Sequence, residues 1–166
     1  MVKNKYIFID LDETLIRCDP WRRWVKAREG DKEITLDDKL TYRAFLRPRA
    51  HELLKALREI APCYLLTAAT QDYSEGWNHE FALGFKNEDI YSRNAIAFRQ
   101  FDESKFPPGH TYLIDNLPRY ENRSKIEFLR EIDPAPKYFN IKEYCGFESQ
   151  NLTVEMIQEI VDSVTE

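Results

Sequence analysis

Glycine is scarce in this 166-residue chain: there are five, at 30, 76, 84, 109 and 146. None are grouped into the cradle that a Walker-type phosphate loop requires. Histidine is scarcer still, and His51, His79 and His110 do not have zinc-binding spacing. Cysteine is confined to Cys18, Cys63 and Cys145, an odd and widely spaced set. Such a set excludes a disulfide framework and reads as reduced thiols in a reducing intracellular compartment, cytoplasmic or nuclear. It also excludes a cysteine-nucleophile phosphate loop, because Trp24, Ala69 and Asn151 stand where the framing arginine is needed. No run approaches the roughly 18 apolar residues of a membrane span. The opening Met1-Val-Lys-Asn-Lys5 leads straight into a strand pattern rather than a secretory signal. With 43% hydrophobic and 32% charged residues, the chain reads as a single globular domain over 1–166 with no membrane partner.

Positive charge is also short overall, the net charge being −5, but it is concentrated. Residues 17–29 hold Arg17, Arg22, Arg23, Lys26 and Arg28 against Asp19 and Glu29, a net of +3. Residues 41–49 hold Arg43, Arg47 and Arg49 with no acid, another +3. At the mouth of a site these stretches would attract a polyanion; solvated arginines are the plainer reading. Asp19-Pro20 suits a helix start, and Trp21 and Trp24 would share that helix's packing face. Aromatics interleaved with arginines also stack the bases of single-stranded nucleic acid.

What is present is a hydrophobic strand that ends in acids. Tyr6-Ile-Phe-Ile9 has the pattern of a strand buried on both faces. It runs into Asp10, Asp12 and the hydroxyl of Thr14. Ligands of open α/β sheets bind beyond the carboxyl ends of the strands, and two carboxylates there carry a desolvation penalty. Chemistry on phosphate accounts for them. Asp10 would attack phosphorus and form an aspartyl-phosphate. Asp12 would protonate the leaving oxygen, then take a proton from the hydrolytic water, with Mg2+ offsetting the negative charge. An acidic turn after a strand is the alternative.

Further along, 33–36 and 40–46 read as a β-hairpin about an Asp37-Asp38-Lys39 turn. Pro48 opens an amphipathic helix with Leu53, Leu54, Leu57 and Ile60 inward, stopped by Pro62. Cys63-Tyr-Leu-Leu66 is a second buried strand, ending at Thr67. A helix over 73–85 follows, then weaker strands at 90–91 and 95–98. Thr111-Tyr-Leu-Ile114 is a third strong strand, ending in Asp115-Asn116. A helix over 124–132, a strand over 138–141 and a helix over 153–164 complete the chain. The alternation specifies a doubly wound, Rossmann-like parallel sheet, with a small β-hairpin insertion at about 17–47 after the first strand. Three strands deliver Asp10 with Asp12, Thr67, and Asp115 with Asn116 to one edge.

The Asp10-Leu-Asp-Glu-Thr-Leu15 motif resembles the nucleophile motif of the haloacid dehalogenase superfamily. With Leu46-Arg-Pro48, Leu66-Thr-Ala68 and Ile114-Asp-Asn-Leu-Pro118 it resembles the NLI-interacting-factor-like branch, small phosphatases of the RNA polymerase II C-terminal domain. That resemblance implies Asp10 as nucleophile and Mg2+ ligand, and Asp12 as acid/base and ligand through its carbonyl. Asp115 and Asn116 would complete the metal shell; Thr67, with Thr14 and Ala68, would meet the phosphoryl group. The family also requires a cation beside the nucleophile. Lys105 is the expected residue, with Arg99 as the other candidate.

Superfamily members that act on metabolites carry a cap domain. Here about thirty residues separate Ile16 from Pro48, and fewer than forty separate Thr67 from Lys105. The expectation is therefore a capless site open to a phosphorylated macromolecule, a phosphoprotein first. A polynucleotide 3′-phosphatase or nucleotidase is the alternative enzyme, and a non-catalytic phosphate-binding module the alternative class.

Overall fold

The computed structural model describes residues 4–18 and 30–166. The strands are β1 (Asn4–Ile9), β2 (Ile16–Cys18), β3 (Lys32–Thr35), β4 (Thr41–Leu46), β5 (Cys63–Leu66), β6 (Ile90–Tyr91), β7 (Gly109–Asp115) and β8 (Lys137–Asn140). The helices are α1 (Ala50–Ile60), α2 (Gln71–Glu80), α3 (Arg93–Ala97), α4 (Arg123–Arg130) and α5 (Val154–Thr165). A five-stranded sheet runs β6-β5-β1-β7-β8, and each adjacent pair in it is parallel.

β1 lies at the centre because its side chains are apolar on both faces. Ile7 and Ile9 enter one core with Leu53, Leu54 and Leu57 of α1, Trp77 of α2, and Ile160 and Val164 of α5. Tyr6 and Phe8 enter a second core with Ile126, Phe128 and Leu129 of α4. Each such side chain contributes about 1.5–3 kcal/mol on burial. Ile9 pairs with Leu65 on one side and Ile114 on the other. That register brings Asp10, Thr67 and Asp115 out at one edge. The chain goes outward from β1 through β5 to β6 and then returns to β7, so the strand order reverses beside β1, where open α/β sheets bind ligands.

The insertion after β1 is a separate antiparallel sheet, β2-β4-β3. Its β3–β4 hairpin closes with Leu36 N donating to Leu40 O and with Lys39 at φ 66°. Two expectations change. Residues 95–98 are not a strand: Ala95 to Ala97 belong to α3 and Phe98 caps it, 71% exposed. Four apolar residues do not distinguish the two periodicities, and only Ala95 and Ile96 pack against the second core. The helix expected over 73–85 is α2, starting at Gln71 and ending at Glu80, with Ala82 and Gly84 at positive φ in the turn after it. The helix start at Asp19-Pro20 and its Trp21 and Trp24 lie outside the described residues. Between β5 and β7 the chain forms α2, β6 and α3. Among the described residues no helix is long and apolar enough to cross a membrane.

Candidate active site

Asp10 leaves β1 with its N–H donating to Ile114 O at 3.0 Å. The chain then turns back on itself: the N–H groups of Leu15 and Ile16 both donate to Leu11 O, and Glu13 takes φ 63°. The turn places Thr14 beneath Asp10, fully buried, its hydroxyl 3.1 Å from Asp10 Oδ2 and 3.2 Å from Asn116 Oδ1.

This loop rests on Arg47, which is fully buried and has no carboxylate partner among the described residues. Its guanidinium donates to Thr14 O at 3.2 Å and to Gln150 O at 2.8 and 3.1 Å, lying over the Tyr144 ring. Tyr144 N in turn donates to Glu13 O at 2.7 Å. Burial lowers the Arg47 pKa to about 10. The basic mouth expected from 41–49 is therefore absent. Arg47 is interior, while Arg43 pairs with Glu33 and Arg49 with Glu52. Arg17 pairs with Glu13, and residues 19–29 lie outside the described residues.

The strongest charge arrangement lies at the sheet edge. Lys125, in the first turn of α4 and 5% exposed, donates to Asp10 Oδ1 at 2.8 Å and to Asp115 Oδ2 at 2.6 Å. One ammonium is thus shared by two buried carboxylates. Burial is the main influence on Asp10, pushing its pKa up to about 7; Lys125 opposes this and Asp115 adds to it. Burial alone would lower the Lys125 pKa, but the two carboxylates outweigh it, so the ammonium is held above its usual value. Asp115 Oδ1 accepts from Leu117 N at 2.9 Å.

Asp12 is also raised by burial, against a hydrogen bond from Tyr73 at 2.7 Å. Glu13 is pushed to about 7 by burial and by the neighbouring Glu143 carboxyl. Thr67 follows β5, 1% exposed; its Oγ1 accepts from Ala69 N at 3.1 Å, which leaves the hydroxyl proton to be donated. A cavity of about 670 Å³ opens over these groups, lined by Asp10, Asp12, Thr67, Ala68, Arg93 and Lys125 among others. Arg93 Nε donates to Ala68 O at 2.8 Å, and no carboxylate pairs with Arg93 among the described residues.

Asp10, Asp12, Thr67, Ala68, Asp115 and Asn116 are thus brought together. Lys105 is not: it pairs with Asp89, donates to Glu88 O at 3.0 Å and lies over the Tyr64 and Tyr91 rings. A short 3₁₀ turn at 103–105 caps on Asp102 and commits it to that side. Arg99 is exposed and pairs with Glu131 at 2.7 Å. Thr14 does not line the cavity; it supports Asp10 from below. The residues missed in sequence are Lys125, Arg93 and Tyr73. Lys125 carried a signal, since with Ile126, Phe128 and Leu129 it shares the buried face of α4.

The oxygens available to a metal are hard ones: Asp10 Oδ2, Asn116 Oδ1 and the main-chain carbonyl of Asp12. The Thr14 hydroxyl has one proton and two acceptors in reach, so one of Asp10 Oδ2 and Asn116 Oδ1 is left without it. Among the described residues no three His, Cys, Asp or Glu side chains form a cage. Few carboxylates, with water and phosphate oxygens making up the rest, is how Mg2+ is ordinarily held. The donor set fits that ion.

The profile of the NLI interacting factor-like phosphatase family matches residues 5–125. No curated protein matches the chain. Among solved structures, one of Fcp1, described as an essential RNA polymerase II CTD phosphatase, is 14% identical with a TM-score of 0.55, covering 99% of this chain and 48% of that one. Fission yeast Fcp1 bound to beryllium fluoride is also 14% identical, with a TM-score of 0.52 and coverage of 99% and 51%. The chain thus spans about half the length of these Fcp1 chains. The HAD domain of the Legionella pneumophila effector Lem4 is 13% identical, with a TM-score of 0.53 and coverage of 99% and 95%. Fold, motif order and family profile agree: the chain belongs to the NLI interacting factor-like phosphatases, within the haloacid dehalogenase superfamily.

Proposed function

We propose that the protein is a Mg2+-dependent phosphomonoester hydrolase with an aspartyl-phosphate intermediate, acting on a phosphorylated macromolecule. The observation that carries this is the Lys125 ammonium shared by Asp10 and Asp115 beneath an open cavity, with Asp12 at its edge. Asp10 forms a bond to phosphorus as the bond to the leaving oxygen breaks, and Asp12 gives that oxygen its proton. Asp12 then takes a proton from the water that attacks the aspartyl-phosphate. Burial favours the protonated form of Asp12, as an acid requires. Lys125 holds Asp10 in place and offsets charge that builds on the phosphoryl oxygens. Asp10, Asp12 and Asn116 would hold Mg2+, which when bound supplies positive charge that keeps Asp10 ionised and screens the phosphate.

A phosphoprotein is favoured over a nucleic acid because the arginines of 41–49 are all engaged elsewhere. Arg93 retains donors at the cavity and would bind a substrate oxygen. Arg93→Ala is expected to raise KM about tenfold or more, the equivalent of one charge-assisted hydrogen bond. The function is tested with nitrophenyl phosphate. Hydrolysis should require Mg2+, stop with excess chelator, and yield acid-stable label on Asp10 after quenching with labelled substrate. Turnover in chelator, or label on another residue, would refute the mechanism. A panel of phosphopeptides, nucleotides and 3′-phosphorylated oligonucleotides then identifies the substrate class.

A further inference from the structure

Tyr73 lies in the first turn of α2, on the crossover that also delivers Thr67. Its hydroxyl donates to Asp12 Oδ1 at 2.7 Å. Its ring is 9% exposed and lies edge-on to Tyr42 of β4, centroids 5.4 Å apart, and to Trp77 one turn along α2, 6.2 Å apart. The ring is therefore confined from both sides and cannot swing away from the carboxyl. A phenol is protonated at neutral pH, so this hydroxyl is the donor in that bond.

A carboxyl group left to itself rotates broadly about its last torsion and carries its proton on either oxygen. One oxygen held as an acceptor removes both freedoms. We propose that Tyr73 is a positioning residue for the acid step: by holding Oδ1 of Asp12 it leaves Oδ2 to carry the proton to the leaving oxygen. This rests on the assignment of Asp12 as the acid. Its consequence depends on the leaving group. A phenolate or alkoxide departs poorly without a proton, whereas nitrophenolate departs readily without one, so a misplaced acid harms the first far more than the second.

The test compares phenyl phosphate with nitrophenyl phosphate in the full chain with Mg2+. Tyr73→Phe should lower kcat/KM for phenyl phosphate about tenfold or more and for nitrophenyl phosphate less than about threefold. In an Asp12→Asn background the same change should add no further loss, because the group it positions can no longer donate. Equal losses on the two esters would show a merely structural role and overturn the proposal, as would no loss on phenyl phosphate. If Tyr73→Phe does not fold, fluorotyrosine at position 73 keeps the ring and strengthens the donor. It should change the ratio of kcat/KM between the two esters, and an unchanged ratio overturns the proposal. A wild type inert to both esters would overturn the assigned function as well; an active one indifferent to position 73 overturns only the role of Tyr73.

Discussion

Lys125→Met should lower kcat/KM by about a thousandfold or more, roughly 4 kcal/mol of transition-state stabilisation. Two losses combine. The ammonium that would neutralise the phosphoryl oxygens is gone, and Asp10 is left facing Asp115 with nothing between them. Lys125 is the group that holds the Asp10 pKa down, while burial and Asp115 push it up. Without Lys125 the nucleophile is shifted toward its protonated form, which does not attack. Removing one member of a buried charge cluster also destabilises by about 3–5 kcal/mol, so the rate must be referred to folded protein, measured by near-UV circular dichroism at low temperature. Lys105→Ala should keep its rate within about threefold, under ~1 kcal/mol, since its partners are Asp89, Tyr64 and Tyr91. An active Lys125→Met beside an inactive Lys105→Ala would return the role to Lys105.

The contrast between these two lysines shows what a sequence carries. Asp10, Thr67 and Asp115 were legible because each ends an apolar run, and parallel strands in register must deliver their ends to one edge. A cation that completes such a site has no fixed place in the chain; it needs only to reach the edge in space. Lys105 stands ten residues before Asp115 in the sequence, but the chain after α3 turns it toward Asp89. Lys125 reaches the site because α4 packs on the same sheet face as Phe8 and Leu113, with its first turn level with Asp115. A lysine on the apolar face of a helix was the visible sign. Arg47 was misread for the converse reason. Beside Pro48 and between other arginines it has the pattern of a solvated charge, and only the fold shows that Thr14 O and Gln150 O satisfy it inside. Gln150 lies beyond the matched span of 5–125, so that contact has no local signal at all.

Asp10→Asn should abolish turnover, because an amide does not form the acyl-phosphate, and should at the same time stabilise the metal-free protein at alkaline pH. The direction follows from linkage. In the folded protein burial raises the Asp10 carboxyl to about 7, whereas in the unfolded chain it titrates near about 4. The folded state therefore binds this proton more tightly. The resulting stability is fully present below the unfolded value and is lost as pH rises through the folded one, between about 4 and 7. At pH about 8 the loss is on the order of 4 kcal/mol at most. Asparagine resembles the protonated acid and incurs no such loss. In chelator, wild type and Asp10→Asn should melt close together near pH 4 and diverge by several degrees near pH 8, with the variant higher. Mg2+ should then raise the wild-type melting temperature at pH 8 more than that of the variant, because only the wild type offers it the Asp10 carboxylate. A variant that melts below wild type at pH 8 in chelator would mean that the Lys125 pairing outweighs burial, and that Asp10 is held ionised without any metal.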